Sequence, residues 1–240
     1  MDKFIQRPLT RSEVDDILKY LSYHLSYTPT NKLRVIFTKT PKQFAKLHGA
    51  EPDLDLITED QINQGRPSGF FDHLTNTVVF QGFSYVEGIT VSQFVIPMAD
   101  VIHEIIHFYQ YSTGTFGKWQ TLYEGTNEIL SCFFTDDYSF DYKDEAVYVF
   151  NLAMILSNND FWEAINWMKR YTTHSDKDGF VSRSILQCET LSKYRPSNLM
   201  RWLDNKDLQK IKNVEVRNLF TKYSESKIKK LLHKNRQLIS

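Results

Sequence analysis

Residues 97–114 read PMADVIHEIIHFYQYSTG, and their apolar positions recur at the spacing of one helix rather than of a strand. His103 and His107 stand four apart in that run, so they share a helix face and can present two imidazoles to one ion. Glu104 falls beside the pair, where a carboxylate can take the proton of a water activated at the ion. Pro97 suits the first turn, Val101, Ile102, Ile105, Ile106 and Phe108 supply apolar surface, and Gly114 can end the helix. The spacing predicts a helix carrying His103-Glu104-x-x-His107, with one Zn2+ per chain as the expected cofactor.

Two histidines do not complete a catalytic zinc site, which keeps three protein ligands and an open position, whereas structural zinc is usually closed by four. Residues 119–130, WQTLYEGTNEIL, place Glu124 and Glu128 four apart on one face of a second expected helix. Glu124 is the expected third ligand. Glu128, one turn on, is expected to accept the free ring N–H of His103 or His107 and so fix that ligand's orientation. Only Cys132 and Cys188 are present, which gives no disulfide framework and suits a reducing compartment; neither is expected to hold zinc.

HEIIHFYQ followed by LYEGTNEIL resembles the gluzincin branch of zincin metallopeptidases, which includes thermolysin-like and bacterial collagenase-like enzymes. The resemblance runs over residues 66–135. It implies that a second helix brings Glu124 to the two histidines and that Glu128 supports one of them. Glu124-Gly125 is similar to the Glu-Gly of collagenase-like and aminopeptidase-like members, while the separation of His107 from Glu124 is shorter than in the thermolysin pattern. The resemblance implies a zinc metallopeptidase acting on a peptide or protein. The fold expected with it is α+β and zincin-like: a small N-terminal mixed sheet with helices, the central HExxH helix, and a mainly helical C-terminal lobe. Residues 1–115 would form the first subdomain and 116–240 the second, in one catalytic unit. A hairpin is expected at Gly69–Asp72 and Thr77–Phe80, with His73–Asn76 as its turn, and Gly69, Phe70 and Phe71 would be the edge that pairs with an extended substrate. An oxyanion donor often comes from the second lobe, and His174, Tyr138, Tyr142 and Tyr148 are candidates.

The remaining chain bounds this reading without deciding it. A hydrophobic content of 41% with 14% aromatics is enough for a sizeable core, and 29 basic against 29 acidic side chains give no global pull towards nucleic acid or an anionic membrane. The polar start, MDKFIQRPLTRSEVDDI, lacks the apolar core of a secretory signal, and no stretch reaches membrane-spanning length. A cytoplasmic protein is expected, with release by lysis or injection leaving no mark in the sequence. Thr10–Tyr23 reads as an amphipathic helix, residues 33–38 as a short strand, and Pro41–His48 as a short helix whose last histidine caps it. Residues 51–60 carry five acids but not the ordered spacing or glycine of an EF-hand, so an acidic loop is expected. Glu145–Ser157 and Phe161–Tyr171 are expected helices, Trp162, Trp167 and Met168 core, and residues 174–179 a loop between the lobes.

Residues 206–236 are rich in Lys and Arg, notably Lys227, Lys229, Lys230, Lys234 and Arg236. They allow an alternative from another class, a non-enzymatic zinc-stabilised protein that binds a macromolecular partner through a basic C-terminal helix. The plainer expectation is an amphipathic helix that packs Leu219, Phe220, Tyr223, Ile228, Leu231 and Leu232 while its lysines face water. Glu104 separates the two functions, because a purely structural zinc site has no use for a carboxylate at the base position.

Overall fold

The computed structural model describes residues 4–48, 69–82, 84–86, 89–91, 96–114, 117–138 and 140–237, so the acidic stretch 51–60 lies outside the described residues. The chain is mixed α+β and divides into two compact units, Met1–Ser112 and Thr113–Ser240. All described strands belong to the first unit.

The first unit is built around a three-stranded sheet in which β2 (Arg34–Thr38) runs parallel to β4 (Thr77–Gln81), and β4 runs antiparallel to β3 (Gly69–Asp72). The β3–β4 turn is held locally: Asp72 Oδ1 accepts the backbone N–H groups of Leu74 and Thr75, and Asn76 takes the left-handed conformation that Asn tolerates. Register fixes which residue meets which face. Phe70 pairs with Val79, and both pack against Phe44 of α2 (Pro41–His48). Phe71, on the other face, meets Phe108 and Tyr111 of α3 (Met98–Ser112) with ring centres 6.2 and 6.1 Å apart. Gly69 lies so close to Phe80 that an added Cβ would stand 2.5 Å from its ring.

α3 is buried along most of its surface, and its polar residues Asp100, His103, Glu104, His107 and Gln110 gather on one stripe at helical spacing. Helix α1 (Arg11–Leu25) opens with a reciprocal Thr10–Glu13 capping box. It is tied to α3 through Tyr109, whose hydroxyl bonds the Leu18 carbonyl and Ser22 Oγ at 2.8 Å; burial pushes that phenol up to about 12. Two short antiparallel pairs complete the unit, β1 (Phe4–Ile5) with β7 (Ile96–Pro97) and β5 (Ser84–Val86) with β6 (Ile89–Val91). Pro97 therefore ends a strand instead of sitting in the first turn of α3, and α3 stops at Ser112, two residues before Gly114. His48 is no surface cap; its ring is buried against Phe44 and Phe70.

The second unit is helical: α4 (Gln120–Thr135), α5 (Lys143–Leu156), α6 (Phe161–Thr173), α7 (Lys177–Gln187), α8 (Pro196–Asp204), a 3-10 turn (Leu208–Lys210), α9 (Val214–Leu219) and α10 (Glu225–Arg236). Trp167 and Met168 are core residues, and Trp162 is half-buried against Phe133 and Phe161. Residues 174–176 make the α6–α7 corner, so this stretch lies inside the helical unit and does not separate two lobes. The basic C-terminal stretch is not one helix but α9, a turn and α10. Its Val216, Phe220, Ile228 and Leu232 are buried, Leu219, Tyr223 and Leu231 partly so, and Lys227, Lys230 and Lys234 are exposed.

No helix among the described residues is long and apolar enough to cross a membrane.

Candidate metal centre

In the first unit, α3 sets two imidazoles side by side. Val101, Ile102, Ile105 and Ile106 are fully buried and lock the helix in rotation, which leaves His103 and His107 on one face at 6% and 8% exposure. Their ring centres are 5.0 Å apart with planes at 67°. An imidazole nitrogen lies about 2.0–2.1 Å from zinc with the ring centre about 1.1 Å beyond, so two rings on one tetrahedral ion have centres about 5.2 Å apart. The observed pair fits that requirement without rearrangement of the helix. Glu104 is half-buried at the next position of the same helix. Gln110, fully buried one turn beyond His107, lies with Oε1 3.3 Å from His107 Nδ1. Its place three residues after His107, on the same helix face, is the signal in the sequence that marks it.

In the second unit, α4 carries Glu124 and Glu128 one turn apart, both buried. Trp119 at the head of α4 makes no side-chain cap; the Asp204 carboxylate, at the end of α8, accepts the Thr121 N–H at 2.9 Å and caps the helix from a distance in sequence. Glu128 Oε1 accepts the backbone N–H of Asp141 at 2.7 Å, so this carboxylate holds the turn that leads into α5. Gly125 explains the Glu-Gly pair physically: α5 crosses so close that a Cβ there would stand 2.4 Å from the Glu145 carbonyl oxygen and 2.7 Å from Val149 Cγ2. Gly125→Ala is therefore expected to lower stability by about 1–3 kcal/mol, the usual cost of overpacking a tight core, despite alanine's better helix propensity. Chemical denaturation of the two proteins measures this; an unchanged midpoint would show that α5 yields at no cost.

The four oxyanion candidates all lie in the second unit. Tyr138 bonds Asp136 through its hydroxyl, and burial with that neighbouring carboxylate holds its phenol well above the usual range. His174 accepts the Asp176 N–H on Nδ1 at 3.0 Å and packs its ring on Phe180. Tyr142 precedes α5 and is 38% exposed, and Tyr148 is half-buried within α5, its phenol raised chiefly by burial. At the linker into α4, Lys177 Nζ donates to Thr113 Oγ1 at 2.8 Å and to the His174 carbonyl at 3.1 Å, and burial pulls its ammonium down to about 8. Gly69, Phe70 and Phe71 of the expected substrate edge lie in β3, an edge strand of the described sheet, with all three residues buried. Cys132 is buried and Cys188 half-buried, both as free thiols.

The chain matches no protein-family model, no curated protein and no solved structure.

Proposed function

We propose that this protein is a zinc-dependent peptidase of zincin type, with His103, His107 and Glu124 as the metal ligands and Glu104 as the general base. The observation that carries the reading is the buried imidazole pair of α3, whose 5.0 Å separation suits two ligands of one ion. Among the described residues, His103, His107 and Glu124 are also the one group of three or more His, Cys, Asp or Glu side chains that could hold a metal ion. Two neutral imidazoles and one carboxylate are the donor set of a hydrolytic zinc site, and they leave a net positive charge at the ion.

The metal, when bound, supplies a Lewis acid that lowers the pKa of a water to about 7 and polarises the scissile carbonyl. Glu104 takes the proton from the attacking water, the new C–O bond forms as the carbonyl π pair moves to oxygen, and Glu104 returns the proton to the leaving amine as the C–N bond breaks. His103 and His107 hold position because the apolar residues of α3 around them, Val101, Ile102, Ile105 and Ile106, are fully buried. Glu124 is steadied by the Asp204 cap and by the close α4–α5 crossing at Gly125.

Elemental analysis of the purified protein tests the ligand set. Wild type is expected to hold close to one zinc per chain, and Glu124→Ala much less. Equal zinc in the two proteins would remove Glu124 from the ligands and make Glu128 the leading replacement. A wild type that takes up no zinc would end the peptidase reading.

A further inference from the structure

We propose that Gln110 is a positioning residue for His107, fixing its imidazole with the proton on Nδ1 so that Nε2 presents its lone pair outward. The consequence for zinc rests on the peptidase reading above, while the hydrogen-bond assignment does not. Gln110 follows His107 by three residues on α3, so the two side chains lie over the same stretch of helix surface. Its Oε1 is 3.3 Å from His107 Nδ1, Gln110 is fully buried and His107 nearly so. An amide oxygen can only accept, so Nδ1 must donate. A carboxamide turned the other way would donate to Nδ1, forcing the neutral ring's proton onto Nε2 and removing the nitrogen that a metal needs. Burial strengthens the bond and keeps water from competing for either partner. The acceptor is neutral here, where a carboxylate would fix the same tautomer and also make the ring a stronger donor to a cation.

Nitrogen-15 spectra of histidine-labelled, metal-free protein at pH 8 read the assignment directly. Wild type is expected to show His107 Nδ1 protonated, with an N–H proton that exchanges slowly. Gln110→Met, which keeps the volume and loses the acceptor, should lose that protected proton. Gln110→Glu should restore it. Chelator competition with zinc alone should then find affinity lowered about 10–100-fold in Gln110→Met and at or above the wild-type value in Gln110→Glu. A wild-type His107 with Nδ1 unprotonated would overturn the proposal whatever the variants do. So would a Gln110→Met protein with the wild-type proton signature and wild-type zinc affinity. A correct proton signature in a wild type that binds no zinc would uphold the Gln110 assignment and overturn the peptidase reading alone.

Discussion

Glu104→Gln is expected to keep the wild-type zinc content and melting curve while lowering turnover of any peptide substrate by about 10²–10⁴-fold, the usual contribution of a general base. The amide matches the carboxylate in shape, and its position beside His103 rather than at a ligand position leaves the donor set intact. What it removes is basicity: a carboxamide cannot accept the water's proton at neutral pH, nor hand one to the leaving amine. Zinc retention with lost turnover would separate Glu104 from the ligands. Full turnover with zinc bound would mean that another group moves the proton. Loss of zinc would make Glu104 a ligand and require a different assignment for the helix.

Removal of residues 206–240 is expected to abolish cooperative folding of the second unit. Ile211, Val216, Phe220, Ile228 and Leu232 are each 0–4% exposed, and burying such side chains is worth about 1.5–3 kcal/mol apiece. Their sum is comparable with the entire net stability of a domain, about 5–15 kcal/mol. The deletion also strips a buried polar pair. Asn151, fully buried in α5, donates to the Tyr223 carbonyl and accepts the Tyr223 N–H, both at 2.9 Å; without them its Oδ1 loses that donor and its amide keeps only the Val147 carbonyl, one turn back in the same helix. Aggregation or the loss of a thermal transition is the expected readout. Replacing Lys227, Lys229, Lys230, Lys234 and Arg236 together by Gln should instead leave a folded protein. Lys227, Lys230 and Lys234 are exposed, the Lys229–Glu225 pair is partly solvated, and Arg236 stands 3.9 Å from Asp136; such pairs are individually worth roughly a kcal/mol or less. A soluble deletion variant that melts like wild type would show that the C-terminal stretch is dispensable for folding and restore the partner-binding reading of its charge.

α3 was legible in the sequence because what defines it is local. Apolar spacing fixes a buried helix, and a separation of four fixes that His103 and His107 share a face, whatever surrounds them. Helix α1 and the β3–β4 hairpin were legible for the same reason, since apolar spacing from Thr10 and a polar turn at residues 73–76 act within a few residues; that Glu13 closes a capping box with Thr10 and that Asp72 holds the turn appeared only in the structure. The pairing of β2 with β4 in parallel was not legible, because it depends on which distant backbone meets which, and a two-residue strand such as β1 has no periodicity to read. The same limit hid the Asp204 cap of α4, which acts across 83 residues. Gly125 could be read as part of a motif, but the reason that no side chain fits there is the carbonyl of Glu145 on a neighbouring helix. Gln110 marks the boundary most closely: sequence puts it on the His107 face, but only the packed structure shows that its amide is buried and turned onto Nδ1. Periodicity determines the direction in which a side chain leaves its helix, whereas the partner it finds depends on which rotamer the surrounding core leaves open.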